Sequence, residues 1–172
     1  MNDTTESRIL HLPNGLDEII AKYGNPDTNS DYILDPEWYA ENTNAYKLTQ
    51  PLRLSWNPNS TVRHIRAHRS VGFAFVQAID KIINYKGIGW LREHNYDYYG
   101  GCFNFRKMRN YPALSTHSWG IAIDLVPQLG GMGDNPDRYP EFIVDIFKSY
   151  GFAWGGDWQY PDAQHFQMCT GY

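Results

Sequence analysis

The chain has 172 residues, enough for one domain with a proper core. With 42% apolar and 20% charged residues it is excluded from the wholly disordered class. A net charge of −4 argues against a general nucleic-acid binder, and two cysteines, Cys102 and Cys169, are too few for a disulfide scaffold.

Taken in chain order, Met1–Glu6 has neither a basic n-region nor an apolar h-region, and no later stretch is long enough to span a bilayer. Synthesis in the cytoplasm without a secretory signal, and no membrane insertion, are therefore expected. Residues 15–23 read as a short helix, with Asn14 as its cap and Gly24 as its stop. Asp35-Pro36-Glu37 repeats the logic: a cap, a proline at the first helical position and an acid in the first turn. The surrounding residues 25–60, rich in Asn, Pro, Asp and Thr, read as irregular packing. The strongest helix is expected at 62–85, where Ile65, Gly72, Phe75, Ile79 and Ile82 or Ile83 recur at three- and four-residue steps. A further helix is expected at 139–150, with Gly151 as its stop.

Shorter β-like runs are Leu52–Trp56, Cys102–Met108, Gly120–Val126 and Gln164–Cys169. Helices with scattered short strands and no βαβ alternation point to an α+β fold, a small antiparallel sheet packed with helices. No repeat or linker is visible, so 1–172 is read as a single domain, with 1–60 peripheral and 61–172 the core. The loop Pro127–Tyr139, containing Gly130, Gly131 and Gly133, is either functional or a plain connector.

Charge is unevenly spread. Residues 51–110 hold 10 Lys and Arg against 3 Asp and Glu, and both flanking segments are acidic. The basic middle can pair with those flanks on folding, or meet an anionic polymer. Aromatic residues at 16% suit either a large aromatic core or a surface for sugars or peptides.

Two stretches carry chemistry. In Ser115-Thr116-His117-Ser118-Trp119-Gly120-Ile121-Ala122-Ile123-Asp124, strand alternation would turn Ala122 and Asp124 away from the apolar Ile121, Ile123 and Leu125. His117 lies close enough in sequence for a turn to bring its ring beside the carboxylate. Taken alone, such a pair is also what a hydrogen-bonded surface looks like. In Trp154-Gly155-Gly156-Asp157-Trp158, followed by Asp162-Ala163-Gln164-His165-Phe166, a Gly-rich aromatic turn delivers an acid and a histidine. Two imidazoles and a carboxylate can hold one divalent metal with a position left open, and Asp162 can serve as the nearby base.

The pattern Ser-x-His-x-x-Gly-x-Ala-x-Asp, then Trp-Gly-Gly-Asp-Trp and Asp-x-x-His-Phe, resembles the zinc peptidases of the D-alanyl-D-alanine carboxypeptidase family. These include the L-alanyl-D-glutamate endopeptidases of bacteriophage endolysins, and share the Hedgehog/DD-peptidase fold. The resemblance is specific over about 100–168 and weak at the N-terminus. It implies one zinc ion on His117, Asp124 and His165, and Asp162 as acid/base where many relatives carry Glu. Arg106 would stabilise the oxyanion, with Arg109 as the alternative. Ser115 is either a substrate-orienting residue or a turn serine, and Trp158 is a candidate substrate contact. The implied partner is a peptidoglycan stem peptide, cut by a hydrolase that acts on the cell wall after release, with lysis of the host cell if the source is a phage. A monomer is expected. The alternatives are a D-alanyl-D-alanine carboxypeptidase or dipeptidase and, from another class, a non-catalytic zinc-containing wall-binding or phage structural module.

Other candidates are weaker. His64 and His68, four apart on the expected helix, lack the Glu of a His-Glu-x-x-His site. His11 and His94 have no partner motif. Cys102 and Cys169 read as buried thiols, able to pair only if their strands are neighbours.

Overall fold

The computed structural model describes residues 11–172, so Met1–Glu6, read above as lacking a signal, lies outside the described residues. Helix α1 (Leu16–Tyr23) ends at Gly24 as expected, but its cap is Gly15. Asn14 contributes its backbone N–H instead, donating to Glu18 at 2.9 Å. Helix α2 (Pro36–Asn42) has the expected cap: Asp35 accepts from the N–H groups of Glu37 and Trp38.

The segment expected to be irregular instead contains a long hairpin, β1 (Thr43–Leu54) and β2 (Asn57–His68). Its register slips between Lys47 and Leu52, where Pro51 stands. That is where a strand tolerates a residue without an N–H to donate. The strongest helix is therefore shorter than expected. α3 covers Gly72–Lys86, and Ile65 is buried from β2, not from a helix. The division drawn at residue 60 falls inside β2.

The chain continues through α4 (Ile88–Glu93), β3 (Tyr98–Gly101), β4 (Ala122–Leu125), α5 (Glu141–Ser149), β5 (Ala153–Trp154) and β6 (His165–Gln167). Cys102–Met108, expected as a strand, follows β3 as irregular chain with a single bridge at Lys107. The fold is α+β, as read, but the sheet is mixed. Its order is β2-β1-β3-β4-β6-β5, and β1 runs parallel to β3.

Helices α3 and α5 pack through an aromatic core. Phe75 stacks on Phe152 at 4.8 Å and Phe147 on Phe166 at 4.3 Å. All four are buried, and truncating one such Phe to Ala typically costs about 3–5 kcal/mol. The N-terminal helices are tied down by polar tips: Trp38 Nε1 donates to Tyr23 O, Trp119 Nε1 to Gly24 O, and Tyr23 OH to Met168 O. Among the described residues no helix is long and apolar enough to cross a membrane.

Candidate metal centre

Sheet register brings two of the three candidate ligands together. β4 and β6 pair antiparallel with Asp124 directly opposite His165, so both side chains stand on one face. On the other flank β3 comes close: a Cβ at Gly100 would lie 2.8 Å from Asp124 Cβ. The absent side chain leaves the carboxylate its room. His117 arrives from a short 3-10 turn, Thr116–Trp119. Ser115 caps that turn, accepting from the His117 N–H at 3.4 Å, and thus has the turn role that was one of its two readings.

The three side chains converge. His117 Nε2 lies 3.3 Å and His165 Nδ1 2.9 Å from the same oxygen, Asp124 Oδ1. The remaining nitrogens are committed elsewhere. His117 Nδ1 donates to the Cys102 carbonyl at 2.6 Å. His165 Nε2 sits 2.9 Å from Gln167 Oε1, and the Gln167 amide is oriented by donating to Cys169 O at 3.1 Å. These partners assign both tautomers and leave one nitrogen of each ring free to point at Asp124.

This donor set fits a zinc ion: two imidazole nitrogens and one carboxylate oxygen within 4.8 Å of one another, each ring braced from behind by an oxygen acceptor. Burial would raise the Asp124 carboxyl, but the charges and hydrogen bonds of His117 and His165 outweigh it and hold it well below the usual carboxylate range. Burial would lower His165, and the Asp124 carboxylate together with Gln167 raises it instead.

Asp162 is set by the Gly-rich turn. Its N–H donates to Gly155 O at 2.9 Å and its carbonyl accepts from His165 N–H at 3.0 Å. A Cβ at Gly155 would lie 2.4 Å from that carbonyl, so this position requires glycine. The Asp162 side chain is buried and accepts from Gln164 Nε2 at 2.9 Å. Burial raises its pKa, as does the negative charge of Asp124, against the lowering effects of Gln164 and His165. A carboxylate of raised basicity is suited to take up and return a proton.

His117, Asp124, His165 and Asp162 line one cleft of about 630 Å³, with Arg106, Arg109, Ser115 and Trp158 around them. Both arginines are exposed. Arg106 has the firmer backbone: its N–H donates to Ser118 Oγ at 3.0 Å and its carbonyl accepts from Ser115 N–H at 2.9 Å. The Trp158 ring stands 5.3 Å from that of His165. The loop after β4 also contributes, since Met132 bridges to Asp162 and lines the cleft.

Gln167, Gln164 and the Cys102 carbonyl were not singled out from sequence. Gln167 carries a legible signal, because two residues after His165 in a strand it shares that face. The Cys102 carbonyl carries none. The remaining histidines stay apart from the site. His64 and His68 lie on β2, where His64 is exposed and His68 is buried, with Nε2 donating to Tyr23 O and Nδ1 accepting from Ser70 N–H. His94 stacks on Trp90 at 3.9 Å. Cys102 and Cys169 are free and buried, and burial pushes the Cys169 thiol up to about 12, far from an activated nucleophile.

No solved structure matches the chain. Residues 109–168 match a family model described as D-alanyl-D-alanine carboxypeptidase. The matched stretch, fewer than half of the 172 residues, contains all three candidate ligands and Asp162 but begins after Arg106.

Proposed function

We propose that the protein is a zinc-dependent peptidase that hydrolyses peptide bonds in peptidoglycan stem peptides, as an endolysin-type L-alanyl-D-glutamate endopeptidase. The observation that carries this reading is the convergence of His117, Asp124 and His165 on one point of a cleft that also holds the buried, raised-pKa Asp162. Zinc held by those three residues would supply Lewis acidity, polarising a carbonyl and making water acidic enough to attack it near neutral pH. Asp162 takes the proton from the attacking water and later returns it to the leaving amine. Arg106, on its pinned backbone, offers its guanidinium to the oxyanion as charge develops, with Arg109 the competing candidate. Trp158 and Ser115 border the path of the peptide.

The site would act at the cell wall, after release from the cytoplasm. The second reading is a carboxypeptidase removing a terminal D-Ala, which the description of the matched family favours. One digest separates the two. Zinc-loaded protein is incubated with purified peptidoglycan and the fragments are read by mass spectrometry. New N-terminal D-Glu supports the endopeptidase and free D-Ala the carboxypeptidase. No cleavage by metal-loaded protein contradicts both.

A further inference from the structure

Beside the metal cleft lies a second groove of about 700 Å³, lined by Trp56, Pro58, Asn95, Tyr98, Pro127 and Gln128. Pro127 lines both concavities, so they adjoin. The two differ in charge. The metal cleft carries Arg106 and Arg109, which suits an acidic peptide, whereas no charged side chain is found among the described residues lining the groove.

Trp56 occupies the tip of the β1–β2 hairpin and is 64% exposed. Hairpin tips favour Gly, Asn and Asp; here the indole leans on the buried Tyr99 ring at 6.2 Å and leaves most of its surface to water. The tip is nevertheless fixed, since Ser55 N–H donates to Tyr99 O at 3.0 Å. Tyr98 is held too, with the Arg53 guanidinium over its ring at 4.3 Å and Arg53 itself clasped by the buried Asp97. Rigid aromatic faces flanked by amide side chains suit a neutral ligand with both apolar C–H faces and many hydroxyl or amide groups.

The junction between the two concavities is strained. Val126 adopts φ 47° and ψ 50°, a left-handed conformation costly for a β-branched residue. It is held there by full burial and by its N–H donating to Tyr98 O at 2.8 Å. This turn sets Pro127 three residues after Asp124, a span of at most about 10 Å.

We propose that the groove is a glycan subsite that takes the N-acetylated hexosamine chain of the peptidoglycan whose stem peptide enters the metal cleft. The proposal rests on the peptidoglycan reading given above. The stem peptide starts on the sugar, so a groove whose near edge, Pro127, lies within about 10 Å of Asp124 along the chain matches a scissile bond within the first few residues. A terminal D-Ala–D-Ala bond lies several residues further out, and the subsite therefore favours cleavage at the sugar-proximal end.

The test is isothermal titration of the full chain with glycan strands stripped of their peptides, using wild type, Trp56→Ala and Trp56→Phe. Wild type should bind, Trp56→Ala should bind at least about tenfold more weakly, and Trp56→Phe should recover part of the loss. In cleavage assays Trp56→Ala should raise KM on glycan-linked peptide about tenfold at unchanged kcat, with no effect on free stem peptide. Absence of glycan binding by wild type, or equal binding by Trp56→Ala, overturns the subsite. The binding arm is independent of hydrolysis. A protein that cuts free peptide but ignores glycan loses the subsite and keeps the peptidase. One that binds glycan through Trp56 but cuts nothing keeps the subsite and loses the peptidase.

Discussion

Replacing Gln167 by Met tests whether the bracing of His165 governs metal affinity. Gln167 is 2% exposed, and Met is close to it in volume, so packing changes should stay below about 1.5 kcal/mol. What disappears is the acceptor 2.9 Å from His165 Nε2, leaving only Thr116 Oγ1 at 3.4 Å. An unpartnered buried N–H costs about 1–3 kcal/mol. The ring can then relieve that cost by carrying its proton on Nδ1, the nitrogen that faces Asp124 and would have to bind the metal. Loss of such a brace typically weakens metal binding about 10–100-fold, or roughly 1.4–2.7 kcal/mol, which matches the hydrogen-bond cost in size. Zinc affinity measured by chelator competition should fall by that factor in Gln167→Met. It should stay within severalfold of wild type in Gln167→Glu, which keeps an acceptor. A folded Gln167→Met protein with affinity within twofold of wild type would refute the reasoning.

Three further outcomes are expected. Burial holds the His68 pKa down at about 4, below its ordinary 6.5, so as pH falls the unfolded chain takes up the proton first. The stability this group contributes is complete above pH 6.5 and drains away as pH falls toward 4, by about 2–3 kcal/mol; urea unfolding across that window should show a shallower pH dependence for His68→Gln, and an unchanged slope would contradict it. Gly155→Ala should displace Asp162, given the 2.4 Å approach of its new Cβ to the Asp162 carbonyl, and lower cleavage about tenfold or more; a wild-type rate from a folded variant would contradict it. Asp124→Asn should remove stoichiometric zinc, read by elemental analysis after dialysis, because it takes the only charge from the ligand set; full retention would reassign the site.

The candidate site was more legible in the sequence than the fold around it. His117, Asp124, His165 and Asp162 stand at distinctive spacings, and alternation alone indicates the face that Asp124 takes, whereas its pairing opposite His165 depends on the register of β4 and β6. Helices α1, α2 and α5 announced themselves through glycine stops or the Asp35-Pro36 cap. The β1–β2 hairpin did not. Its strands are rich in polar residues and only partly buried, Pro51 interrupts one of them, and its Ser55–Trp56 tip lacks the usual glycine or asparagine. Ile65 fell into phase with the apolar stripe of α3 by coincidence of spacing, which extended the expected helix backwards into a strand. The Cys102 carbonyl behind His117 depends on chain path alone, and no residue type advertises it.

The central claim is that three residues hold a metal while Asp162 moves the proton. It is tested most directly by measuring zinc content and stem-peptide cleavage on the same preparations of wild type and Asp162→Asn. The account predicts equal zinc in both and a rate lower by about 10²-fold or more in the variant. A zinc-loaded Asp162→Asn protein cleaving at the wild-type rate would contradict it.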